Sequence, residues 1–193
     1  MWENPKRVEA AIRRLTHEIE EIDTFFYLSN KTEDRALYAG MLERKRDDIV
    51  RAAVLQIHTG IEDLLDQHIT FAIVGGTRRH PVRNQSARAL RSILVGGGSI
   101  GFDRKLALAV ALRVITTKTR DRLQVLNTLR NKCSHNWLLK VPTRHGKRPT
   151  QKKPPLLLYE GRDLHTVAAL KDFVAEFGNG IYVRLFSKYL DLD

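Results

Sequence analysis

An all-α fold is predicted by three features of the sequence. Apolar residues recur at three- and four-residue steps over long stretches, as one face of a helix requires. Nothing alternates at period two over enough residues to build a sheet. Four of the six prolines gather in the single stretch 139–155, leaving the apolar-periodic stretches almost free of them. At 193 residues the chain suits one domain, 1–193, large enough to bury a core without disulfides or a structural metal.

The elements follow in order. Val8, Ile12, Leu15, Ile19, Ile22 and Phe26 alternate four- and three-residue steps, the seam of a helix packed lengthwise on another, so a first helix is expected over 5–28. Ser29, Asn30 and Thr32 suit the end of that helix and the cap of the next. The second helix is expected over 33–73, with Ile49, Ala53, Ile57, Ile61, Leu64 and Leu65 as its apolar stripe and a highly charged first half. Together 1–73 would form a long antiparallel helical hairpin. Gly75 and Gly76 end it, and a basic loop containing Pro81 follows. Residues 86–138 read as helices: a short one at SARALRSILV, a buried one at FDRKLALAVALRVI after GGGSIG, and one carrying Leu123, Leu126, Leu129 and Cys133 with Thr119 or Asp121 as cap. Residues 139–160 read as a basic, proline-rich loop ending in LLLY, a short strand or extended segment. The final helix, 163–190, aligns Leu170, Val174, Phe177, Ile181 and Leu185, with Gly178 and Gly180 as weak points.

Charge is the strongest compositional signal. The chain holds 33 Lys+Arg against 22 Asp+Glu, a net +11, and such an excess attracts polyanions. Acidic residues are absent from Gln67 to Phe102, and again from Arg122 to Leu158. These stretches nominate Arg78, Arg79, Arg83, Lys140, Arg144, Lys147, Arg148, Lys152 and Lys153 as nucleic-acid-binding residues. No apolar run approaches the roughly 20 residues that would span a bilayer. No apolar core of a signal peptide opens the chain, so a cytoplasmic protein is expected. With Cys133 as its one cysteine, the chain has no internal disulfide and no CxxC site. The histidines lack HExxH or similar ligand spacing, so neither a metal nor another cofactor is expected.

The segment LNTLRNKCSHNW carries the chemistry. Leu126, Leu129 and Cys133 share one stripe of the helix, whereas Asn131 and His135, four apart, share the other side. Arg130 and His135 are about 140° apart on an ideal helix, so one copy does not aim both side chains at one ligand. A local helix end at Asn136, or a second subunit, would complete a site.

Arg130, Asn131 and His135 spell R-N-x-x-x-H, which resembles the signature of HEPN domains, all-α proteins whose active members are metal-independent endoribonucleases. The setting resembles that family too, with the motif late in a helical bundle and a glutamate, Glu62 in IEDLL, on the long upstream helix. The resemblance implies Arg130, Asn131, His135 and Glu62 as catalytic residues and a homodimer whose two motifs meet in one cleft; by residue type, Glu62 suits a pair with Arg130, and Asn131 suits orienting His135 or a phosphate oxygen. It implies RNA as substrate, a toxin or phage-defence role, and a possible nucleotidyltransferase-like antitoxin as partner. The residue types suit that chemistry. Histidine moves protons near neutral pH, and arginine offers a fixed bidentate charge to a phosphate. The alternative is a catalytically silent regulator, since relatives of the mannitol operon repressor share the architecture without the intact pair. GGGSIG lacks the GK[ST] of a phosphate loop and reads as a connector. Cys133, on the buried stripe, reads as a core residue rather than a nucleophile.

Overall fold

A helix of 43 residues, α1 (Thr32–Val74), is the spine of the fold. No proline interrupts it, and at 1.5 Å per residue it is about 65 Å long. Ile49, Val50, Ala53, Val54, Ile57, Ile61, Leu64, Leu65 and Ile69 are all buried, so the stripe expected from sequence is the core face, widened by its neighbours. The computed structural model describes residues 32–74, 89–90, 92–94, 100–135 and 156–190, together with positions 13, 14, 17, 18, 20 and 21. The six seam residues proposed for the first helix lie outside these, although the described positions between 13 and 21 are helical and Glu20 pairs with Lys171. Residues 89–90 and 92–94 are helical, within the stretch where a short helix is expected.

Helices α2 (Phe102–Ala111) and α3 (Thr117–His135) both pack on α1. Their connection is tight. Arg113 takes the left-handed conformation at φ 58°, and the N–H groups of Val114 and Ile115 both return to the Ala109 carbonyl. Thr116 caps α3, its Oγ1 accepting from the Thr119 N–H at 3.2 Å. That corrects the expected cap at Thr119 or Asp121: Thr117 and Lys118 already continue the helix, so the hydroxyl three residues before Thr119 is the one in reach. Leu123, Leu126, Leu129 and Cys133 are buried, as their spacing predicts.

The C-terminal region departs from a single helix. Leu158–Tyr159 (β1) pairs antiparallel with Arg162–Asp163 (β2), a two-residue hairpin whose turn residues Glu160 and Gly161 both have positive φ, as a type I′ turn demands. The extended reading of LLLY therefore holds at its end. Because Asp163 is spent in this pair, the helix begins later, at α4 (Val167–Phe173), with Thr166 as its cap. Val174–Tyr182 then widens into a π-helix before α5 (Val183–Leu190) resumes the ordinary geometry. Gly178 and Gly180, expected as weak points, fall inside the widened segment. Tyr159, Phe173 and Phe177 pack edge-on or tilted with centroids 5.0–5.9 Å apart, tying hairpin to helix.

Gly60 allows a close approach in the core. A Cβ there would stand 2.9 Å from the Tyr182 ring, so the ring lies against α1 where that helix lacks a side chain. Among the described residues the fold is thus helical, with one small hairpin. Among the described residues no helix is long and apolar enough to cross a membrane.

Candidate functional site

Arg130, Asn131 and His135 occupy the last turn and a half of α3. Arg130 is exposed and Asn131 half-buried, while Leu129 and Cys133 between and beside them face the core. Arg130 Nη1 donates to Asn131 Oδ1 at 3.0 Å, so the carboxamide holds the guanidinium at the surface. The helix runs unbroken through His135, which leaves the 140° step between Arg130 and His135 in place. Burial pushes the Cys133 thiol up to about 11, and a thiol with that pKa is not a nucleophile near neutral pH.

Glu62 does not meet Arg130. Its Oε1 accepts from Lys105 Nζ at 2.8 Å, and no ion pair joins it to Arg130 among the described residues. Lys105 comes from α2 and is only 3% exposed; it donates equally to Asp66 Oδ2 at 2.8 Å. A buried ammonium flanked by two carboxylates outcompetes an exposed guanidinium for Glu62. Burial works against the charge of Lys105, but its two carboxylate partners more than offset that and raise its pKa. Burial raises the pKa of Asp66.

One turn before Glu62, His58 faces the same interior. Its Nδ1 lies 3.7 Å from Glu62 Oε2, its ring is 4.4 Å from that of Phe102, and its Nε2 is buried without a hydrogen-bond partner. Burial pushes its pKa down; Glu62 opposes this and the nearby Arg130 charge reinforces it. The junction of α1, α2 and α3 therefore gathers Arg130, His58, Glu62 and Lys105, of which sequence reading had nominated the first and third.

A second cluster secures the end of α3. Arg51 Nη1 donates to the Cys133 carbonyl at 2.9 Å, satisfying one of the acceptors a helix leaves open at its C-terminus. Arg51 Nε is held by Asp47 Oδ2 at 2.8 Å, and Asp47 Oδ1 receives His165 Nε2 at 3.1 Å. His165 Nδ1 completes the chain on Asp163 Oδ1 at 2.7 Å. The hydrogen bond that His165 donates to Asp47 raises the His165 pKa against burial, with Asp163 adding to it. Burial would raise Asp47, yet His165 and Arg51 outweigh it and hold the carboxyl at about 2.

The sign of the linkage follows. A histidine whose pKa is raised by folding stabilises most below its ordinary value near 6.5 and loses that contribution as pH rises through its folded value. The two aspartates work oppositely, their contribution present above the ordinary carboxylate range and lost in strong acid. The charged groups around the ring are Asp163 in its own turn and Asp47, Arg51 and Arg46 on α1. In denaturant melts the stability gap between the wild type and His165→Gln should shrink steadily from pH 5.5 to 8.5. A gap that stays constant would show that the imidazolium carries no special weight.

The basic residues Arg78, Arg79, Arg83, Lys140, Arg144, Lys147, Arg148, Lys152 and Lys153 lie outside the described residues. Among the described residues no group of three or more His, Cys, Asp or Glu is placed to hold a metal ion. His58, Lys105, Asp47, Arg51 and His165 were missed from sequence. The i,i+4 spacings Asp47–Arg51 and His58–Glu62 were visible, but such pairs are common on solvated helices and do not by themselves mark a site. No family model, no curated protein and no solved structure matches this chain.

Proposed function

We propose that the chain is a HEPN-type, metal-independent endoribonuclease acting as a toxin or phage-defence effector. The observation that carries the reading is the last turn of α3, where Arg130 and Asn131 stand off the core near a half-buried carboxylate, Glu62, and a buried imidazole, His58. In the proposed reaction the 2′-hydroxyl loses its proton to a base, its oxygen bonds to phosphorus, and the bond to the 5′-oxygen breaks as that oxygen takes a proton. Arg130 neutralises the phosphorane-like transition state, Asn131 steadies the guanidinium, and His135 transfers a proton. Glu62 belongs to the site through Lys105 and His58 rather than through Arg130. Because α3 is unbroken through position 135, positions 130 and 135 of one copy stand about 140° apart around the helix, which supports a homodimer with two motifs in one cleft. The same divergence favours the second reading, a silent HEPN-like regulator that binds nucleic acid or a partner, such as a nucleotidyltransferase-like antitoxin, without turnover.

Purified protein incubated with total RNA in EDTA separates the two. Cleavage is expected to leave a 2′,3′-cyclic phosphate and a 5′-hydroxyl, and RNA affinity to fall steeply as salt rises. Strict metal dependence or 5′-phosphate ends would overturn the mechanism. Bound but intact RNA would favour the regulator.

A further inference from the structure

We infer that His58 is a second proton-transfer residue of the same site, oriented by Glu62 and facing Arg130, so that a single chain brings an imidazole, a carboxylate and a guanidinium to one junction. The inference rests on the ribonuclease reading and deepens it.

The geometry of His58 is that of an oriented base. Its Nδ1 is turned toward the Glu62 carboxylate at 3.7 Å, which favours the tautomer carrying its proton on Nδ1 and leaves the Nε2 lone pair open. Nε2 is buried with no hydrogen-bond partner. A purely packing role does not account for it, since an apolar ring of similar shape would fill the space against Phe102 at no polar cost. Glu62 is itself fixed by Lys105 at 2.8 Å, so the orienting carboxylate cannot swing away. Burial keeps the ring neutral and thus able to accept a proton, and the Arg130 charge acts in the same direction.

With His58 as the base, the second copy supplies only the acid. His58 Nε2 takes the 2′-hydroxyl proton as the 2′-oxygen bonds to phosphorus, and the 5′-oxygen leaves with a proton from His135 of the second copy. Arg130 is exposed and held by Asn131, near enough for its charge to act on the ring, and proton transfer requires the buried ring edge to open to the substrate. Glu62 is a positioning residue; it touches no reacting atom.

The test compares wild type, His58→Gln, His58→Phe and Glu62→Gln. Each is measured for thermal unfolding, RNA affinity, and single-turnover cleavage in EDTA across pH. Folded His58→Gln is expected to bind RNA as the wild type does while cleaving on the order of a hundredfold more slowly. Its profile should lose the acid limb, and Glu62→Gln should displace that limb without abolishing it. Wild-type cleavage has its own requirement even if both His58 variants unfold: the acid limb must reflect a base below the ordinary histidine range, and a limb at or above that range overturns the inference. A folded His58 variant that cleaves within about threefold of wild type, with the same profile, also overturns it and leaves the ribonuclease reading standing. Wild-type protein that binds RNA and never cuts it removes that reading, and this role with it.

Discussion

Replacing Lys105 with alanine is expected to destabilise the fold by about 3–5 kcal/mol, read from urea unfolding at pH 7. The ammonium is buried between Glu62 and Asp66, and removing it leaves negative charge in the interior with no counterion. Asp66 bears most of the penalty. It is 5% exposed and its Oδ1 already lacks a partner, whereas Glu62 keeps some contact with solvent. Substituting the charges together separates Coulombic loss from lost packing: Lys105→Met with Asp66→Leu should recover a substantial part of the stability, because an apolar pair avoids the desolvation cost. A single variant that melts within about 1 kcal/mol of wild type would show that the interior tolerates the unpaired carboxylate.

His135→Ala and Arg130→Lys are each expected to cut RNA cleavage by about a hundredfold or more, equivalent to some 2.7 kcal/mol of transition-state stabilisation. The lysine variant keeps the charge but cannot reproduce a planar fork against two phosphate oxygens, so it should fail nearly as fully as alanine. Both proteins should stay folded. Arg130 is exposed, and it donates to its own neighbour Asn131 rather than to Glu62, so its replacement should change stability by no more than about 0.5 kcal/mol. Full activity in His135→Ala would remove that residue from the mechanism, and unchanged kinetics in Arg130→Lys would show that only a point charge is needed.

The long helix was legible because its apolar stripe from Ile49 to Leu65 obeys one period without interruption, and α3 because Leu123, Leu126, Leu129 and Cys133 do the same. Polar partners across the core were not. Lys105 sits in FDRKLALAVALRVI, where periodicity marks a buried helix but cannot show that 39 residues earlier Asp66 awaits its ammonium. His165 and Asp47 are 118 positions apart, and local pattern carries no information at that range. The Glu62–Arg130 pairing failed for the same reason: charge complementarity is satisfied equally by Lys105, and only packing decides between them. The hairpin at 158–163 was half legible, because LLLY reads as extended while Asp163, which pairs with Leu158, equally suits the start of the final helix.

The widened segment from Val174 to Tyr182 has a cause that lies in arithmetic. Buried positions in this part of the chain recur in steps of four, along Phe173, Phe177, Ile181 and Leu185, and along Val174, Gly178, Tyr182 and Phe186. On a helix of 3.6 residues per turn each such step overshoots by about 40°, and three steps would carry Leu185 and Phe186 about 120° away from Phe173 and Val174. Bonding i to i+5 puts more residues in each turn and takes up that overshoot. The segment is thus a phase corrector: it lets a period-four sequence keep one continuous contact line against α1, and the last helix inherits its rotational setting from it.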